Sequence, residues 1–124
     1  MPIIAHAERY QTFLKDPKRL YKLVKQGVLV QVTAGSVIGK FGKNIQDASE
    51  LWIQHHLVHF IASDAHQAIG PRSFHMKAAF QKIRKIDDKM EIILKENAQA
   101  LVKRHTLYVD EPIEIRKKKF FKFL

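Results

Sequence analysis

Three side chains in this sequence have the chemistry of metal ligands and stand where an α/β enzyme would use them: His6, Asp64 and His66. His6 closes the apolar run Pro2-Ile3-Ile4-Ala5, and Asp64-Ala65-His66 closes the run Leu57-Val58-His59-Phe60-Ile61-Ala62-Ser63. Both runs read as buried strands. The three residues therefore fall at strand C-terminal ends, where parallel α/β folds gather their catalytic groups. The Asp-x-His turn sets a hard oxygen and a borderline nitrogen close together, a pair suited to manganese, iron or zinc when other loops complete the sphere. A histidine near a strand end also has a plainer reading, as a hydrogen-bonded structural residue, and His55, His56, His59, His75 and His105 are read that way.

The elements that must position these groups follow from pattern and punctuation. After the first strand, Asp16-Pro17 offers a cap followed by proline at the first helical position. Leu20, Leu23 and Val24 supply the apolar stripe of that helix, and Gly27 stands where a left-handed cap ends it. Val28 to Thr33, rich in β-branched residues, is the second strand. Ala34 to Gly39 reads as a glycine-bearing loop, and Ile45, Ala48, Trp52 and His55 mark one helix face up to about His56. Beyond Gly70-Pro71, the positions Met76, Ala79, Phe80 and Ile83 predict a further helix. Asp87 or Asp88 caps another containing Ile92, Ile93 and Leu94, and Asn97 reads as the N-cap of a last one with Ala98, Leu101 and Val102. Strands alternating with helices imply a parallel sheet with right-handed crossovers. Three strands leave both sheet edges open, and so predict self-association or a covering partner.

Composition narrows the chemistry. With 124 residues, 46% of them apolar, the chain can bury one core but is short for a closed (β/α) barrel. There is no cysteine, which excludes disulfides, thiolate zinc sites and a cysteine nucleophile. A formal charge of +10 favours anionic partners. Part of it lies in Arg116-Lys117-Lys118-Lys119-Phe120-Phe121-Lys122-Phe123-Leu124, an interleaving of basic and aromatic residues that suits an anionic membrane surface. No zinc finger, RRM signature or stacking platform accompanies the charge, so nucleic acid is not an expected partner. The apolar runs are too short to span a bilayer and the N-terminus lacks a signal-peptide layout, which predicts a cytoplasmic protein with peripheral membrane contact through the tail.

Motifs sharpen this. His6-Ala7-Glu8-Arg9-Tyr10 resembles the His-Pro-Glu-Arg-Tyr motif of the polymerase-and-histidinol-phosphatase (PHP) type tyrosine phosphatases of bacterial capsule and exopolysaccharide operons. Gln31-Val32-Thr33-Ala34-Gly35-Ser36, with Gly39 and Phe41-Gly42, is similar to that family's second loop, and Val58 to His66 is similar to its late metal motif. The matches run in family order to about Leu101, and Arg72 stands where the family has an arginine. The resemblance implies an α/β fold, a partial (half) PHP-type distorted (β/α) barrel, with residues 1–104 forming the C-terminal half of the phosphatase domain and 105–124 an extension. It further implies hydrolysis of phosphotyrosine by a metal cluster, usually manganese, with His6, Asp64 and His66 as ligands and Arg9 and Arg72 holding phosphate oxygens. Glu8 is assigned to positioning Arg9 or a ligand, not to the metal. The implied substrate is a phosphotyrosine protein, a tyrosine kinase of the same operon.

The family's N-terminal His-x-His motif and further ligands are not in this sequence, and Ala7 replaces the motif's proline. The isolated chain is accordingly expected to be nearly inactive until an N-terminal half or a second copy completes the site. The alternative reading is a catalytically silent basic module that binds phosphorylated or acidic partners or an anionic membrane. Arg9 and Arg72 each also have a bland role, as a surface ion-pair partner and a loop brace.

Overall fold

The computed structural model describes residues 2–63, 71–103 and 111–115. Three parallel strands form its sheet in the order β1-β2-β3: β1 (Ile3–Ile4), β2 (Leu29–Thr33) and β3 (Phe60–Ala62). Ile3 and Ile4 pair with Leu29 and Val30, and Gln31, Val32 and Thr33 pair with Phe60, Ile61 and Ala62. The central strand is covered on both faces, so four of its five residues are buried and the sequence there reads as an unbroken apolar and β-branched run.

The helices arise as the punctuation predicts, with instructive exceptions. Helix α1 (Gln11–Lys15) is followed by α2 (Pro17–Lys25), which has Pro17 in its first turn and buries Pro17, Leu20 and Val24. Gly27, at φ 102°, closes it: its N–H is donated to the Val24 carbonyl and that of Val28 to the Leu23 carbonyl, which satisfies two of the carbonyls left over at the helix end. A single turn, α3 (Ala34–Val37), leads toward α4 (Lys43–Gln54), which buries Ala48, Trp52 and Ile53 against the sheet. Helices α5 (Pro71–Ile86) and α6 (Asp88–Lys103) complete the cover through Ala79, Ile83, Met90 and Leu94. Trp52 is fully buried in this core, and truncating it to alanine would cost ~3–5 kcal/mol.

Two expectations need correction. Ala34 to Val37 is a helical turn with all four residues buried rather than an open loop, because it packs beneath α5. Asn97 does not begin a helix. It lies inside the continuous α6, almost fully buried, and donates Nδ2 to the His59 carbonyl at 3.1 Å, so a tertiary bond to a strand-end acceptor outweighs its capping preference. The 3-10 turn Ala7–Arg9 and α1 were not anticipated, being too short to carry a helical period. Residues 111–115 pack on the body: Ile113 donates its N–H to the His55 carbonyl at 2.9 Å, and Ile115 is buried in the core.

Candidate active site

His6 leaves β1 in the left-handed region, φ 53° and ψ 45°, a conformation that histidine tolerates better than most residues. That bend throws the chain into the 3-10 turn Ala7–Arg9, closed by Arg9 N–H to the His6 carbonyl at 2.9 Å and Tyr10 N–H to the Ala7 carbonyl at 3.2 Å. The tight turn sorts its side chains. Ala7 and Glu8 are fully buried, His6 is half-buried and Arg9 is exposed. Inside, Glu8 Oε2 accepts the Thr33 N–H at 3.0 Å and the Ser36 hydroxyl. Glu8 Oε1 is buried and has no hydrogen-bond partner among the described residues. The loop after β2 thus meets the turn after β1, and a second contact joins them: His6 Nδ1 lies 2.7 Å from Thr33 Oγ1.

Arg9 points outward, with its guanidinium carbon 4.6 Å from the centroid of the Phe41 ring. Among the described residues it makes no ion pair, so its donors are not spent on a carboxylate. Phe41 comes from the loop before α4, and it also borders a cleft of about 530 Å³ between α1 and the start of α4. Lys15 and Lys43 stand on the rim of that cleft, with Gln11 and Asn44 beside them.

Of the residues singled out from sequence, His6 and Arg9 lie on this turn. Asp64, His66 and the side chain of Arg72 lie outside the described residues. The described part of β3 ends at Ala62, which pairs with the same Thr33 that contacts His6. Among the described residues no group of three metal-ligating side chains occurs. The donors present fit a divalent cation nevertheless: an imidazole whose Nδ1 already has a partner, and a buried carboxylate with one unpartnered oxygen, an arrangement that favours positive charge nearby. Thr33, Ser36 and Phe41 were not singled out as functional. Their sole signal was membership of the second motif.

His59 shows the contrasting environment. It is buried where the chain enters β3, and its Nδ1 accepts the Val30 N–H at 3.0 Å, which leaves Nε2 to carry the proton. Nε2 is buried without a partner among the described residues. Burial lowers the pKa of this imidazole to about 4.

A parallel sheet with an imidazole, a buried carboxylate and an exposed guanidinium at its C-terminal end places the chain among α/β proteins that work from that end of the strands. More narrowly, it belongs to the CpsB/CapC family of capsular polysaccharide synthesis, whose model matches residues 1–103. It is 36% identical over 124 residues to the tyrosine-protein phosphatase YwqE of Bacillus subtilis (strain 168), covering 99% of this chain and 48% of that one. It is 36% identical over 126 residues to the putative tyrosine-protein phosphatase CapC of Staphylococcus aureus, covering 100% of this chain and 49% of that protein. The fold matches a chain from the crystal structures of YwqE from Bacillus subtilis and CpsB from Streptococcus pneumoniae, metal-dependent tyrosine phosphatases. The TM-score is 0.87 at 34% identity, over 94% of this chain and 47% of that one. The chain spans about half the length of the curated relatives it matches.

Proposed function

We propose that the chain is the C-terminal half of a manganese-dependent protein-tyrosine phosphatase. The carrying observation is the meeting of the His6 turn with the Thr33 loop at the strand ends, in a chain of the CpsB/CapC family. His6 would hold the metal together with Asp64 and His66. The bound metal supplies an activated water and screens the phosphate charge. Arg9, exposed and free of ion pairs among the described residues, binds phosphate oxygens through its planar donors, with Arg72 as its counterpart. The remaining ligands come from an N-terminal half or a second copy seated on the open edge of β1, where Ile3 is 38% exposed. The substrate is a phosphotyrosine protein such as the operon's tyrosine kinase, met in the cytoplasm, with the basic tail contacting anionic membrane.

Manganese titration by calorimetry, run with phosphotyrosine-peptide hydrolysis, tests this reading. The chain alone should turn over little. Mixed with the N-terminal half of YwqE it should hydrolyse the peptide, and His66→Ala should abolish that turnover. Undiminished turnover in the variant would sink the proposal.

The net charge of +10 supports a second reading, a silent module that binds phosphorylated or acidic partners without metal. It predicts binding of a phosphotyrosine peptide that weakens steeply with salt and is unchanged by chelator.

A further inference from the structure

Between the two loops at the C-terminal end of the sheet runs a chain of polar side chains: His6, Thr33, Glu8 and Ser36. All but His6 are fully buried. Thr33 is the joint. Its hydroxyl meets His6 Nδ1 at 2.7 Å, and its backbone N–H is donated to Glu8 Oε2 at 3.0 Å. The Ser36 hydroxyl donates to that same oxygen, so one carboxylate fixes both ends of the turn that follows β2.

A neutral imidazole carries one proton, and the nitrogen without it is the one that can bind a metal. The hydroxyl of Thr33 can turn either way. If it accepts from Nδ1–H, Nε2 keeps its lone pair; if it donates to Nδ1, Nε2 is protonated and closed to metal. Metal-binding histidines commonly donate the second ring N–H to an oxygen acceptor. Resting on the phosphatase reading, we infer that Thr33 and Glu8 are positioning residues for His6. Thr33 Oγ1 accepts Nδ1–H and holds the ring in the tautomer whose Nε2 is open to a divalent cation, and Glu8 holds Thr33.

The burial of Glu8 supports this division of labour. Glutamate is rarely buried without a paired charge, and a serine or asparagine would satisfy the Thr33 N–H at a smaller desolvation cost. A carboxylate at the back of a cation site has a reason to be there. Glu8 also lies between His6 and Arg9 in sequence, so anchoring it aims the metal-binding ring and the phosphate-binding guanidinium together.

The tautomer of His6 can be read from the ring nitrogen resonances of the metal-free full chain, with no turnover required. The wild-type chain should show His6 protonated at Nδ1. Thr33→Val keeps the side-chain shape and the backbone bond to Glu8, and should shift His6 toward the Nε2-protonated form while weakening manganese binding about 10-fold or more. Thr33→Ser should restore both. Glu8→Gln, which retains an acceptor for Thr33 and Ser36, should fall between wild type and Thr33→Val, and circular dichroism confirms that each variant is folded. An Nε2-protonated His6 in the wild-type chain, or a folded Thr33→Val with unchanged tautomer, would overturn the inference. The expected tautomer shift without metal-dependent hydrolysis in the completed protein would uphold the positioning role and reject the phosphatase reading.

Discussion

At the entry to β3, His59 is sealed into the core, 3% exposed, while His6, just past the end of β1, stands half-buried in left-handed backbone. Both rings engage through Nδ1. For His59 the partner is a backbone N–H, which can only donate, so the ring's protonation pattern is dictated and its second nitrogen faces the interior. For His6 the partner is a hydroxyl, which can donate or accept, so the contact permits either tautomer and the second nitrogen is not forced to carry the proton. The role of a histidine is thus set by what its first nitrogen meets and where its second one points. On the proposed function, the two ends of the sheet divide accordingly into a stabilising end and a reactive end.

That division is broken most directly by exchanging the readouts. In the phosphatase proposed above, Arg9→Ala and His6→Asn should each lower phosphotyrosine-peptide turnover about 100-fold or more, Arg9→Ala with the urea midpoint nearly unchanged and His6→Asn at a cost of no more than ~1–2 kcal/mol for the lost bond to Thr33. Asparagine is chosen because it tolerates the left-handed backbone at position 6. His59→Ala should do the reverse. It strips the Val30 N–H of its acceptor and opens a cavity, costing ~3 kcal/mol in urea unfolding, with turnover per folded molecule unchanged. Comparable activity losses at positions 6 and 59 would show that the two ends are not separable.

Acid sharpens the same contrast. His59 titrates near 6.5 when unfolded and at about 4 when folded, so the unfolded chain binds the proton more readily between those values. The stability conferred by neutral His59 is complete well above pH 6.5 and is lost as the pH falls through 4, by ~3 kcal/mol in all. His59→Gln can still accept the Val30 N–H through its amide oxygen and does not titrate. Urea midpoints measured from pH 7 to pH 4 should fall more steeply for the parent than for this variant, and parallel curves would remove His59 as the cause.

Asn97 extends the stabilising end. Its Nδ2 donates to the His59 carbonyl, so Asn97→Ala leaves that buried acceptor short of a donor and should cost ~1–2 kcal/mol, without effect on manganese affinity. A change in affinity would connect this end to the site.

How much of this the sequence carries depends on the range over which each signal acts. Helix α2 was legible because Asp16-Pro17, the Leu20, Leu23 and Val24 stripe and Gly27 all lie within a few turns of chain. The parallel sheet was legible from the order of β-branched runs and helices. Asn97 was misread because its partner is 38 residues away, and a local capping preference carries no information about a distant carbonyl. The site divides in the same way. His6 and Arg9 were visible through one short motif, yet nothing in residue spacing says that His6 and Thr33, 27 residues apart, share a hydrogen bond. The burial of Glu8 was hidden because composition favours placing a glutamate in water.

The smallest effect is expected at Gly35, where the reactive end meets its support. A Cβ built there would lie 3.1 Å from Phe41 Cε2, a close contact, but Phe41 is 41% exposed and its ring can yield. The helical turn that contains Gly35 also gains from alanine in place of glycine, by up to ~1 kcal/mol, which offsets the crowding. Stability of Gly35→Ala should therefore stay close to that of the parent. The guanidinium of Arg9, however, rests on the ring that moves, and such a contact at an exposed site is worth ~0.5–1 kcal/mol. Losing it should raise KM for a phosphotyrosine peptide about two- to five-fold in the completed enzyme, with kcat less affected. An unchanged KM in a variant whose Phe41 ring has demonstrably moved would mean that Arg9 is held from elsewhere, and the reactive end would then extend beyond the turn and loop that meet at Thr33.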